Sequence, residues 1–139
     1  MSTAVLYTPE VLGLAVQLAG HPWDEALPLK AEARSQSCGS TIALGLDLDA
    51  EGRIVHVGVR SQACAIGQAA AAIFSDAAIG RTSAQVHDAA AKITRWLAGE
   101  EGLPDWPGFV LIAAARDYPA RHGAVMLPWK AATQVLPIG

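Results

Sequence analysis

The stretch that decides the fold reads Arg60-Ser61-Gln62-Ala63-Cys64-Ala65-Ile66-Gly67-Gln68-Ala69-Ala70-Ala71-Ala72-Ile73-Phe74-Ser75-Asp76-Ala77-Ala78-Ile79-Gly80. Ahead of it, Arg53 to Arg60 carries Ile54, Val55, Val57 and Val59, β-branched residues in partial alternation that predict a strand. Within it, Ile66, Ala69, Ala70, Ile73 and Ala77 recur at the three-and-four spacing of one helical face, and Gly80 stands where a left-handed C-terminal cap belongs. Cys64 therefore falls at the joint of strand and helix. The unpaired N–H groups of a first helical turn, with the positive end of the helix dipole, favour an anion there. A thiolate at such a joint serves as a nucleophile or a metal ligand.

Upstream, Thr41 to Leu48 places Ile42, Leu44, Leu46 and Leu48 on one face, and Asp49-Ala50-Glu51-Gly52 forms a hairpin loop into the next strand. Lys30 to Ser35 alternates charged and small residues, the pattern of an edge strand with one face in water. Between these two strands, Ser37-Cys38-Gly39-Ser40 is a small-residue turn in which Gly39 lets backbone or ligand approach Cys38. Three strands joined by short turns predict an antiparallel meander with helices over its apolar face, an α+β fold. Cys38 lies near the start of the second strand and Cys64 just past the end of the third, and a hairpin reverses direction. Both thiols should reach the same end of the sheet.

With the helix that follows Cys64, the chain has about four to five helices. Tyr7 to Leu18 is helical in pattern, with Thr8 as N-cap, Pro9 at the first position and Gly20 ending it, and His21 to Leu29 is an irregular connection. Downstream, Ser83 is the expected N-cap of a helix striped by Val86, Ala89, Ala90, Ile93 and Leu97, which Gly99 and Gly102 stop. Phe109 to Ala115 forms a short apolar helix that ends before Pro119, and Pro128 implies a kink or a late start in the last one. Trp96 and Trp106 read as packing residues.

Composition narrows the function. At 139 residues the chain fits a single domain, 1–139, large enough for a real core. A net charge of −3 without a Lys/Arg block argues against DNA or RNA as a partner. There is neither a long apolar run nor an N-terminal leader pattern, so no membrane is implied and a cytoplasmic location is expected. Charged residues are 17%, below the usual value of about 25%, which leaves room for an exposed partner surface. Two cysteines are too few for a disulfide framework. Their spacing matches no standard zinc pattern, so structural thiols and a metal pair both stay open.

Three stretches together resemble the U-type iron–sulfur cluster assembly scaffold family, which includes IscU-like and SufU-like proteins and the N-terminal domain of NifU. They are Ser37-Cys38-Gly39-Ser40; Gln62-Ala63-Cys64-Ala65-Ile66-Gly67-Gln68-Ala69 leading to Ile79-Gly80-Arg81-Thr82; and Tyr118-Pro119-Ala120-Arg121 with Leu127-Pro128-Trp129. The resemblance implies a three-stranded antiparallel sheet with packed helices, and three cysteines and an aspartate converging at one end to bind zinc or a nascent cluster. Its first two cysteines fall on Cys38 and Cys64. The aspartate position holds Ser40, the third cysteine position holds Ala124, and a histidine found in one branch falls on Gly123, with His122 one residue earlier. Sites of this kind want four protein donors, or three with an open position, and alanine donates nothing.

Three readings follow. In the first, the chain is a scaffold or adaptor that holds iron, zinc or a labile iron–sulfur cluster on Cys38 and Cys64, with His122 or a second subunit of a homodimer completing the shell. The resemblance implies a cysteine desulfurase and recipient apo-proteins as its partners. In the second, the fold is a metal-free module that docks on a desulfurase or another assembly protein. In the third, Cys64 is a thiol nucleophile or sulfur acceptor and Cys38 resolves it. No base besides His122 presents itself, so the chain is not read as an enzyme. His21, His56 and His87 have no ligand-like spacing to either thiol.

Overall fold

A computed structural model describes residues 6–36 and 39–137. The sheet is the expected meander of β1 (Leu29–Arg34), β2 (Thr41–Leu48) and β3 (Ile54–Gln62), in the order β1-β2-β3 with both pairings antiparallel. Thr41 pairs with Arg34 on one side and Gln62 on the other, so β1 ends, β2 begins and β3 ends on one rung. At the opposite end Asp49 builds the tight loop, its side chain accepting from the N–H groups of Glu51 and Arg53, both at 2.9 Å.

Among the described residues four α-helices cover the sheet: α1 (Pro9–Gln17), α2 (Ala65–Ala78), α3 (Ser83–Leu97) and α4 (His122–Val135). Thr8 caps α1, its hydroxyl accepting from the N–H of Val11 at 3.2 Å with Pro9 following, as its sequence predicts. The cap of α3 is Thr82 rather than Ser83. Thr82 and Gln85 form a reciprocal capping box, while Ser83 donates its hydroxyl to the carbonyl of Pro137. Phe109–Asp117 is 3₁₀ rather than α-helical, and a second 3₁₀ turn, Pro119–Arg121, leads into α4. Helix α4 starts six residues ahead of Pro128 and runs through it. Proline has no N–H to give the carbonyl of Ala124. Burial of Leu127, Pro128 and Trp129 outweighs that loss.

Helix α2 lies at the centre, packed against α1, α4 and β3, and α4 closes over α2, α3, β1 and β2. Phe74 of α2 stacks on Trp106 and meets Trp129 edge-on, each at 5.6 Å between centroids. Trp96 and Trp106 are both core residues. The opposite sheet face is not bare, because residues 21–27 fold back across it. Val59 donates to the carbonyl of His21 at 2.9 Å, and Leu27, 3% exposed, sits over Gly45 and Gly58. A Cβ on Gly58 would stand 2.8 Å from the carbonyl oxygen of Pro22, so the glycine is what admits this strap.

Candidate functional site

Cys64 is the N-cap residue of α2, extended at φ −64°, ψ 169°, and its side chain makes no capping bond. It is half-buried and free. Its carbonyl accepts from Gln68 at 3.0 Å, while the side-chain amide of Gln68 donates to the carbonyl of Ala63 at 2.8 Å. The N–H of Cys64 donates to the hydroxyl of Ser40 at 3.2 Å. Ser40 is 4% exposed, and its own carbonyl accepts from the N–H of Ser35 at 2.8 Å. The residues flanking the β1–β2 turn are thereby tied to each other and to the start of α2. Cys38, within that turn, lies outside the described residues.

The two positions where the resemblance expects further donors are explained by packing. The Ser40 hydroxyl accepts from the Cys64 backbone in the buried interior. Ala124 is fully buried, and its Cβ would lie 3.7 Å from a Cβ on Gly67 in the first turn of α2. Positions 40, 64 and 124 thus converge on the N-terminus of α2, but only Cys64 among them has a soft donor to offer. His122, the first residue of α4, is half-buried with Nε2 2.7 Å from the carbonyl oxygen of Arg116. A carbonyl only accepts, so Nε2 carries the proton and neutral His122 keeps its lone pair on Nδ1. Among the described residues no three of His, Cys, Asp and Glu gather as a metal site. Of the other histidines, His21 bonds Asp76 at 2.8 Å and His87 faces the carbonyl of Leu136 at 3.1 Å.

No protein-family model matches the chain, and no protein of curated function does. Solved structures do. A NifU-like protein (N-terminal) from Brucella abortus superposes with a TM-score of 0.86 at 24% identity, over 95% of this chain and 92% of that one. A protein from thermophilic Fervidobacterium islandicum AW-1, described as an iron–sulfur cluster assembly scaffold for the SUF system, gives 0.87 at 23% identity, over 98% and 100%. This chain has the U-type scaffold fold. In that fold the meander leads through the Cys64 joint into α2, and the chain closes with the helix running through Leu127-Pro128-Trp129.

Sequence reasoning missed a polar cluster that links residues 21–27 to the U-type sheet. The indole N–H of Trp23 donates to Glu25 at 2.7 Å, Lys30 donates to the same carboxylate at 3.2 Å, and Arg60 lies over the Trp23 ring at 4.6 Å. The Trp23 hydrogen bond, then that of Lys30, holds the Glu25 carboxyl below its ordinary range. The alternating charge of Lys30 to Arg34 was the available signal, but nothing local pairs it with Trp23. No helix among the described residues is long and apolar enough to cross a membrane.

Proposed function

We propose that this chain is an iron–sulfur cluster assembly scaffold or adaptor whose cargo, iron, zinc or a labile cluster, is held through Cys38 and Cys64. The observation that carries the reading is Cys64 at the N-terminus of α2, its backbone fastened through Ser40 to the first residues of β2 in a U-type fold. The unpaired N–H groups at the helix N-terminus favour anionic sulfur delivered there. His122 is the third donor of this reading. A ligating imidazole commonly gives its other N–H to a backbone carbonyl, as His122 does to Arg116. The remaining position belongs to a ligand of the cargo or to a second subunit. A cysteine desulfurase and recipient apo-proteins are the partners, the location is cytoplasmic, and the chain turns over no substrate of its own.

Protein purified without oxygen and then offered ferrous iron and sulfide tests this by metal analysis and visible absorption. Stoichiometric iron or zinc that disappears in Cys38→Ala and in Cys64→Ala is expected. Full metal retention in Cys64→Ala overturns the reading. A second reading, a metal-free docking module, draws on the inward Ser40 hydroxyl and the buried Ala124. It expects negligible metal in every sample, with desulfurase binding unchanged when both cysteines are replaced. A sulfur-acceptor role for Cys64 is the remaining alternative; alkylation no faster than that of a free thiol at neutral pH removes it.

A further inference from the structure

The sheet face turned away from the α-helices is divided in two. Over Gly45 and Gly58 it is covered by the strap 21–27 and Leu27. Beyond the strap it opens into a groove of about 430 Å³ lined by Glu32, Arg34, Thr41, Ala43, Arg60 and Gln62. Its floor is β2, where Ala43 and Thr41 are short. Its walls are the longer side chains of the flanking strands, Glu32 and Arg60 across Ala43, Arg34 and Gln62 across Thr41. With strands about 4.8 Å apart the walls rise roughly 10 Å from each other, room for one extended chain.

The groove is charged in a pattern. Arg60 is held upright by the Trp23 ring, with Glu25 3.9 Å away. Arg34 forms no ion pair with a carboxylate among the described residues. Lys30, Arg34 and Arg60 stand against Glu25 and Glu32, so groove and rim are net positive on a chain whose net charge is −3. Glu32 opposite Arg60 repels a compact dianion, while Thr41 and Gln62 offer the mixed donors and acceptors that peptide amides use.

We propose that this groove seats an extended acidic segment of a partner protein, its carboxylates on Arg34 and Arg60 and a donor group beside Glu32. The rung Arg34–Thr41–Gln62 is the last before Ser40 and Cys64, so a segment lying here brings its protein to the Cys64 end. The inference rests on the scaffold reading only for the partner's business there; the groove's chemistry stands by itself.

The test uses the whole chain, 15N-labelled, titrated with a 12-residue peptide of alternating Asp and Ser, with its Asn-for-Asp counterpart, and with inorganic phosphate. The acidic peptide should shift the amides of Thr41, Ala43 and Gln62, and Arg34→Glu and Arg60→Glu should each weaken it about fivefold, more at low salt than high. Equal shifts from the Asn peptide, the same shifts from phosphate, or unchanged binding by the double charge reversal each overturn the proposal. Metal content is measured on the same samples. Cys64→Ala protein that loses metal while wild type binds no peptide removes the groove alone; peptide binding without metal in any sample removes the cargo reading alone.

Discussion

Gly67→Ala is the perturbation that most directly interrogates the joint. Gly67 is the third residue of α2, and in a helix an exchange of glycine for alanine ordinarily stabilises by up to about 1 kcal/mol. Here the added Cβ would stand 2.8 Å from the Cβ of Ala63, and ordinary contact requires the strand–helix junction to yield by about 0.6 Å. Overpacking of that kind costs about 1–3 kcal/mol. The same shift stretches the Cys64 N–H bond to Ser40, already at 3.2 Å, which is worth about 1 kcal/mol. The net expectation is a loss of about 1–3 kcal/mol, a fall in Tm of roughly 3–12 °C. Urea unfolding followed by tryptophan fluorescence measures it, with Gly13→Ala as control, since nothing lies within 4 Å of a Cβ there and only the helical gain should appear. Adding Ala63→Gly removes the clash, so the double-mutant cycle should show a coupling of about 1 kcal/mol or more. A Gly67→Ala protein as stable as wild type, or a cycle with no coupling, refutes the reasoning.

Two further predictions follow from the strap. Gly58→Ala sets a Cβ 2.8 Å from the Pro22 carbonyl and 2.9 Å from Leu27 Cδ1, so it should lift residues 21–27, lower stability by about 1–3 kcal/mol and expose the Val59 amide to hydrogen exchange; protection of that amide equal to wild type would show that the strap stays seated. Because the Glu25 carboxyl is held below its ordinary range, the support it gives is present above that range and lost as pH falls through the lowered value. The indole N–H resonance of Trp23 should therefore titrate at a pH below the usual 4.5, and one that titrates at or above it contradicts the Trp23 bond.

Period-two alternation made the three strands legible, and hairpin arithmetic alone brought the start of β2 and the end of β3 together. Cys64 at a helix start was equally readable, because Gly80 and the apolar face of Ile66 to Ala77 bounded the helix on both sides. What escaped depends on partners distant in sequence. The cap moved from Ser83 to Thr82 because Gln85 reaches back to Thr82, a reciprocal pair worth more than one hydroxyl. Ser40 looked like a lost ligand, and its bond to the Cys64 backbone needed the β2–β3 register to exist first. The strap escaped altogether, since two strand glycines and a proline-bounded connection fit together only across a folded sheet.

Helix α4 has a consequence for how such a chain is made. Synthesis proceeds from the N-terminus, and the meander and α2 emerge from the ribosome well before Trp129, which completes the ring cluster of Phe74, Trp106 and Phe109. Until α4 has emerged, Phe74 and the apolar side of the sheet have no cover on that flank. The growing chain is thus a half-built sandwich that presents aromatic surface to whatever holds it, and its core closes only once residues 122–135 are in place.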